Sequence, residues 1–283
     1  MSALISRTVA VRELDHKVRQ RMYAIFETYY TAVSQEQFEI DLANKDAVIL
    51  LLERGSNVLR GFSTLRQMVL TDESGRTVRA IFSGDTVVEA AFWGQKVLGV
   101  AFLRYLWFAK LKRPFEPLYW FLISKGYKTY LLMANNFPTH YPRHECATPL
   151  TVQVLIHRFA QGLFGADYDP ESGLIRYAVS KGQLKSGVAE ATPDEMVRFP
   201  RIRFFEQKNP YWRDGAELVC LAEMTFGLPF AYGWKRVKKV TLAPFYRLKA
   251  RPVVRDVSVA IERESGIQPL VGALDTGSVS DGR

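Results

Sequence analysis

The 283-residue chain is poor in cysteine, holding only Cys146 and Cys220 and no CxxC pair. That removes a disulfide framework and predicts reduced, buried thiols in a cytoplasmic protein. Long apolar runs are missing too. The longest, Val97 to Ala109, contains Arg104 and stops at Lys110, short of the roughly 20 apolar residues that span a bilayer. The first twenty residues, MSALISRTVAVRELDHKVRQ, carry charge where a secretory leader needs an apolar stretch. Internal repeats and low-complexity tracts are absent from the body of the sequence. Acid is the scarcer charge: 29 Asp and Glu against 38 Lys and Arg leave a formal +9. The excess favours an anionic partner (nucleic acid, acidic lipid, a phosphorylated cofactor or an acidic carrier protein) without choosing among them.

What is present reads as an ordinary globular protein, 48% apolar and 24% charged, long enough to bury a sizeable core. Ile5 to Leu14 has the mixed β-branched and charged character of an edge strand. Asp15 can cap a helix on which Val18, Met22, Ile25, Phe26 and Tyr29 share a face. Ser34 caps a second, Gln35 to Ala43. The apolar run AVILLLE at Ala47–Glu53, the turn Gly55-Ser56-Asn57 and the return strand Val58–Leu65 predict a hairpin. A further strand near Val69 precedes the turn at Asp72–Gly75. Thr77 to Glu89 is strand-like, interrupted at Ser83-Gly84-Asp85 by a bulge or tight turn. Gly94 to Lys112 predicts a buried helix ended by Pro114 and Pro117. Leu118–Ile123 and Lys128–Met133 read as strand, bent at Gly126. Asn135-Asn136-Phe137-Pro138 makes a corner, and Thr148-Pro149 and Thr192-Pro193 are helix starts, the first helix ending near Gly165. Ala216 to Met224 has the composition of a central strand.

This order of elements, an α/β (α+β) pattern with strands dominating the middle, resembles the GNAT family of N-acetyltransferases. The resemblance spans about residues 5–165. It implies a mixed, mostly antiparallel central sheet flanked by helices, with a C-terminal extension. A donor-binding core would occupy residues 1–165, residues 166–266 would complete the sheet and the acceptor side, and 267–283 would form a flexible tail. In that family a splayed strand end pairs with the pantetheine arm of the donor, and the following turn and helix start hold its pyrophosphate. The matching residues are Val87 and Val88, then Gly94, Gln95, Lys96, Val97, Leu98 and Gly99. Unpaired amides and the dipole at a helix start suit an anion. The family's glycine spacing is not kept: counted from Gln95, its glycine positions hold Leu98 and Val100.

The resemblance also implies a tyrosine general acid after the fifth strand, a role that falls on Tyr141, with His140 as its rival. Glu89 stands at the end of the donor strand as a carboxylate for the acceptor amine. Acyl transfer to an amine needs a held donor, a base for the ammonium and a proton source for the thiolate. No tightly bound cofactor is implied. The donor would be an acyl-coenzyme A or acyl carrier protein thioester, and the acceptor a small-molecule amine. The length and aromatic content look closer to the branch that makes N-acyl amino acids or acyl-homoserine lactones.

Other readings stand beside these. His140, His144 and Cys146 could ligate zinc, though no fourth ligand is apparent. Tyr105, Trp107, Phe108, Phe115, Tyr119, Trp120 and Phe121 could line a tunnel for a long acyl chain. The basic run Lys235–Lys239 suits an acidic carrier protein or an anionic membrane. A non-catalytic lipid-binding or anionic-partner-binding protein is the alternative to an enzyme. Nucleic acid is disfavoured, because the aromatics cluster in apolar runs and do not alternate with bases.

Overall fold

The computed structural model describes residues 3–31, 33–177, 183–184 and 191–228. Strand β1 (Leu4–Ala10) gives way to a 3-10 turn at Val11–Glu13, sooner than the run to Leu14 predicts. The Asp15 carboxylate caps α1 (His16–Tyr29), accepting from the Val18 amide at 2.8 Å. After the short β2 (Tyr30–Thr31), the Ser34 hydroxyl caps α2 (Gln35–Ala43). β3 (Ala47–Glu53), β4 (Leu59–Thr71) and β5 (Thr77–Val88) then form a meander. The two strands expected at Val58–Leu65 and near Val69 are one continuous β4, because its pairing with β5 runs on to Thr71.

A crossover through α3 (Val97–Lys112) leads to β6 (Leu118–Ser124), which lies parallel to β5. The segment after Gly126 is a helix, α4 (Tyr127–Asn136), and not the strand its aromatic and aliphatic content suggested. Its buried residues, Tyr127, Tyr130, Met133 and Ala134, recur every three or four positions, so packing one face decides the matter over strand propensity. The short β7 (His140–Tyr141) is followed by α5 (Leu150–Phe164). Its N-cap is Pro149, with no side-chain cap, so Thr148 does not take the capping role. Then come β8 (Tyr168–Asp169), β9 (Leu174–Ile175), β10 (Gln183–Leu184), α6 (Pro193–Arg198), α7 (Pro200–Lys208) and β11 (Glu217–Glu223). Thr192 and Glu195 close a capping box on α6.

The main sheet runs β1-β3-β4-β5-β6-β11-β9-β8, with β7 also on β11; β10 pairs separately with β2. Every pairing is antiparallel except β5 with β6. The sheet is therefore mixed, mostly antiparallel and flanked by helices on both faces. On one face α3, α4 and α7 cover Ile49, Leu65, Ile81, Trp120 and Cys220. On the other, α1 and α2 cover Val48, Leu50, Phe62 and Val87. That same face is covered further along by α5, over Val78, Phe82, Phe121 and Leu221. Between these two groups of helices the β5–β6 pairing ends, at Ser83↔Leu122. Among the described residues no helix is long and apolar enough to cross a membrane. The basic run at 235–239 and the tail 267–283 lie outside the described residues, as do residues 178–182, 185–190 and 229–266 of the segment proposed to end at 266.

Candidate active site

Strands β5 and β6 pair only from Arg79↔Leu118 to Ser83↔Leu122. Beyond Ser83 the β5 strand bulges, since Gly84 and Asp85 together face the single residue Thr64 between the Leu65↔Ser83 and Ser63↔Thr86 pairs. An extra residue bends its strand and re-aims the side chains around it. Pairing with β4 resumes at Thr86–Val88, and among the described residues no strand pairs the other side of residues 84–88. The side chains at the bulge leave little room beyond a glycine. A Cβ on Gly84 would lie 2.6 Å from Thr64 Oγ1 and 2.8 Å from Lys45 Cε.

The parting strands open a cavity of about 620 Å³. Phe26 and Phe38 wall it from α1 and α2, and Phe164 and Tyr177 from the α5 side. Asp85 enters from the bulge and Glu217 from the start of β11, which the Leu218↔Ser124 pair sets beside the end of β6. Burial pushes both carboxyls above the usual carboxylate range; Asp41 adds to the rise at Asp85, and Asp85 to the rise at Glu217. Lys45 offsets part of the rise at Asp85, as Lys125 does at Glu217, where its ammonium lies 3.5 Å from Oε1. Lys125 also sits 5.5 Å above the Tyr30 ring. Burial first, and then the two carboxylates, keep the Tyr30 and Tyr177 hydroxyls protonated. A pair of carboxyls lifted towards neutrality inside an aromatic cavity can bind an ammonium group and take its proton.

The sequence-predicted residues fall in three places. Val87 is buried under α1 and α2, and the Val88 carbonyl accepts from Trp93 Nε1 at 2.7 Å. Gly94 turns the chain at φ +81°. Gln95 Oε1 accepts from the Leu4 amide at 3.0 Å, and Lys96 is the exposed N-cap of α3. Val97 and Leu98 pack against the α3-side core, while a Cβ on Gly99 would meet nothing within 4 Å. The expected donor residues thus form one continuous turn into α3.

Glu89 stands at the edge of that turn with both oxygens engaged, one by Arg21 and the other by Arg60 at 3.2 Å. His140 and Tyr141 lie elsewhere, on β7 opposite Ala222 and Leu221, outside the cavity lining. His140 is only 1% exposed, its Nδ1 is 2.8 Å from the Phe137 carbonyl, and burial lowers its pKa. Tyr141 packs with the α5-side core. Of the zinc alternative, Cys146 is exposed, contrary to the expectation of two buried thiols, whereas Cys220 is buried. The aromatics proposed to line a tunnel are dispersed: Trp120 packs on Phe102 at 4.8 Å, Phe121 lies on the opposite face, and Phe108 and Phe115 are exposed.

Sequence reasoning missed Asp85 and Glu217. Their signal was a carboxylate inside a strand that otherwise reads as fully buried: Asp85 within AIFSGDTVV and Glu217 within AELVCLA. Such a charge is expensive to bury without a purpose.

No protein-family model and no curated protein matches the chain. Partial likenesses exist among solved structures. A probable N-acyltransferase from Enterococcus faecalis superimposes with a TM-score of 0.34 and 15% identity, over 45% of this chain and 31% of that one. This chain therefore spans less than a third of that protein. An acetyltransferase from Trypanosoma brucei gives 0.34 and 14% over 52% and 99% of the two chains. Glucosamine-6-phosphate N-acetyltransferase from Arabidopsis thaliana gives 0.28 and 14% over 39% and 76%. Those activities belong to those proteins, none of which is described as an acyl-homoserine lactone synthase, and superpositions this partial decide nothing about the chemistry of this one.

Proposed function

We propose that the protein transfers an acyl group from a thioester to an amine, with the acceptor held in the Asp85–Glu217 cavity. The observation that carries this reading is the carboxyl pair, Glu217 buried and Asp85 half-buried, at the point where two parallel strands part. An aromatic-walled cavity with carboxyls raised above their usual range serves an acceptor that arrives as an ammonium ion and must leave as an amide. The edge of β5 at residues 84–88, which no described strand pairs, is suited to an amide-bearing arm such as pantetheine. The Gly94–Gly99 turn, the α3 amides and Lys96 supply donors and positive charge for its phosphates. Coenzyme A and acyl carrier protein present the same arm, and either fits this reading.

In the reaction, one of the two carboxylates takes a proton from the acceptor ammonium. The freed nitrogen lone pair attacks the thioester carbonyl, forming the C–N bond. Collapse breaks the C–S bond, and the thiolate leaves with the nitrogen's second proton as a thiol. The carboxyl then returns its proton to solvent, which balances the cycle.

The test is saturable stabilisation by donor. Coenzyme A or an acyl ester at 100 times its Kd should stabilise the fold by about 2.7 kcal/mol, and Lys96→Glu should remove most of that shift. Thiol release in the presence of an amine panel then reports transfer. No stabilisation by coenzyme A, its esters or acyl carrier protein would overturn the proposal. Stabilisation without turnover on any amine would leave a binding protein.

A further inference from the structure

The open side of α3 carries a second, chemically different surface. Val100, Arg104, Phe108 and Leu111 recur along its outer face, and Phe115 follows at the Pro114 corner. Phe115 is 95% exposed, Phe108 56% and Leu111 47%, and Val69 of β4 is 66% exposed. The register Val69↔Arg79 sets Val69 beside Arg79 on the same face of the sheet. Between helix and sheet lies a cavity of about 410 Å³, lined by Arg79, Arg104 and Lys112 together with Gln67, Thr8 and Tyr105. Its lining includes no carboxylate, and neither does α3 itself. Two acids stand behind the lining: Glu116 is held by Arg79 at 2.8 Å and by Arg113 at 3.4 Å, and Asp46 accepts from the Gln67 amide at 2.6 Å. Arg104 and Lys112 form no ion pair among the described residues.

We propose that this face of α3 docks the protein on an anionic bilayer, with a lipid phosphate in the Arg104–Lys112 cavity and Phe108, Leu111 and Phe115 in the interface. Cations interleaved with exposed aromatic and aliphatic side chains on one helix face are the pattern of interfacial binding. The charge is complementary to acidic lipid, as it would also be to an acidic protein. The apolar groups favour lipid, because Phe115 projects from a corner and needs an apolar phase to receive it, whereas a flat acidic partner would leave it in water. The end of the described chain agrees. Phe226 packs on Trp107 at 5.7 Å and under Lys110 at 5.2 Å, so the chain reaches Leu228 beside α3. The sequence that follows carries eight Lys and Arg from 229 to 255 and no acid before Asp256.

The inference is independent of acyl transfer and is tested on the full chain with vesicles. Sedimentation with phosphatidylcholine vesicles is compared with vesicles in which about a third of the lipid is phosphatidylglycerol, in low and high salt. Binding at least tenfold stronger to the anionic vesicles, lost at least tenfold in Phe108→Ser/Phe115→Ser and again in Arg104→Ser/Lys112→Ser, is the expected result. Melting temperatures of both variants confirm that they fold, and Phe115→Ser alone provides a milder second variant, since that ring touches little. Equal vesicle binding by parent and variants overturns the proposal. So does a Phe115-dependent dimer, which would make the face a self-contact. Stabilisation by inorganic phosphate through Arg104 and Lys112, with no vesicle binding, would make the cavity a soluble-anion site and overturn docking as well.

Discussion

Two carboxylates, Asp85 within strand β5 and Glu89 just past its end, stand in opposite surroundings. At the Glu89 end two guanidinium groups occupy both oxygens, and the residue serves as an ionic joint between α1, β4 and the turn into α3. At the Asp85 end the bulge turns the side chain into a cavity shared with two more carboxyls (Asp41 and Glu217), two lysines and two tyrosines. Burial raises Asp85, and nothing there fully repays the loss of water. Position along the donor strand singles out Glu89, but the surroundings make Asp85 and its partner Glu217 the groups able to exchange a proton. A carboxylate whose oxygens are already taken by arginines is a poor acceptor for a third hydrogen.

The strongest way to break this comparison is to neutralise each carboxylate in turn. Glu217→Gln and Asp85→Asn should each lower turnover by roughly 10²-fold or more while leaving donor stabilisation in place. Glu89→Gln should leave turnover within a few-fold and lower stability instead, because Arg21 loses its carboxylate and Arg60 is left with Glu53 alone. Tyr141→Phe belongs in the same series. From its place on β7 we expect turnover within about a factor of two, and a 10²-fold loss would return the thiolate's proton to Tyr141.

The bulge itself is the next target. Gly84→Ala puts a methyl against Thr64 Oγ1 and Lys45 Cε at distances real Cβ atoms do not show. A cost of about 1–3 kcal/mol is expected, read as a drop in denaturation midpoint at unchanged m-value. Unchanged stability would mean that the strand can shift, and the cavity would then not depend on the bulge.

Stability against pH sharpens the contrast further, because two kinds of carboxyl pull in opposite directions. Asp85 and Glu217 have raised folded pKa values, so the folded chain keeps protons that the unfolded chain has lost. Their contribution is therefore complete below the unfolded value near 4 and falls as pH rises through the folded ones. Glu145 has the other sign. Burial raises it, but Arg143, its own backbone amide and Arg201 outweigh burial and hold it at about 2. Its contribution is present above about pH 4 and drains away as pH falls towards 2. Glu217→Gln should flatten the decline of Tm on the alkaline side of about pH 5, and Glu145→Gln the decline on the acid side of about pH 4. Parallel Tm profiles for parent and Glu217→Gln would sink the assignment of a raised carboxyl.

Much of the frame was legible because it is written locally. Asp15, Ser34 and Thr192 cap helices in the structure, AVILLLE is a strand buried in the sheet, and Glu217–Glu223 is central. The interruption at Ser83-Gly84-Asp85 is a bulge. The misses share another cause. α4 follows β6 after only Lys125 and Gly126, and its Gly126 N-cap offers no side chain, so the change from strand to helix leaves no polar mark. Asp85 and Glu217 are remote in sequence and meet only because β6 stands between their strands. A cavity built by sheet order has no spacing for a sequence to display. Glu89 was conspicuous because it ends its strand, and the arginines that occupy it come from α1 and β4.

The smallest expected effect repeats the glycine substitution at the other proposed subsite. Gly99 lies in the first turn of α3, and a Cβ there would meet nothing within 4 Å. Gly99→Ala should therefore stabilise the protein by about 0.5–1 kcal/mol through helix propensity, the reverse of the change at Gly84. Open space beside a helix's first-turn amides is also where a bound pyrophosphate would lie. If the donor phosphates occupy it, the alanine variant should melt higher alone yet gain less from coenzyme A, because its methyl stands in the ligand's place. If the full coenzyme A shift survives in a variant that is itself more stable, the donor does not pass over Gly99. Its phosphates would then have to rest on Gly94 to Lys96 alone, and Lys96→Glu should abolish the shift while Gly99→Ala leaves it intact.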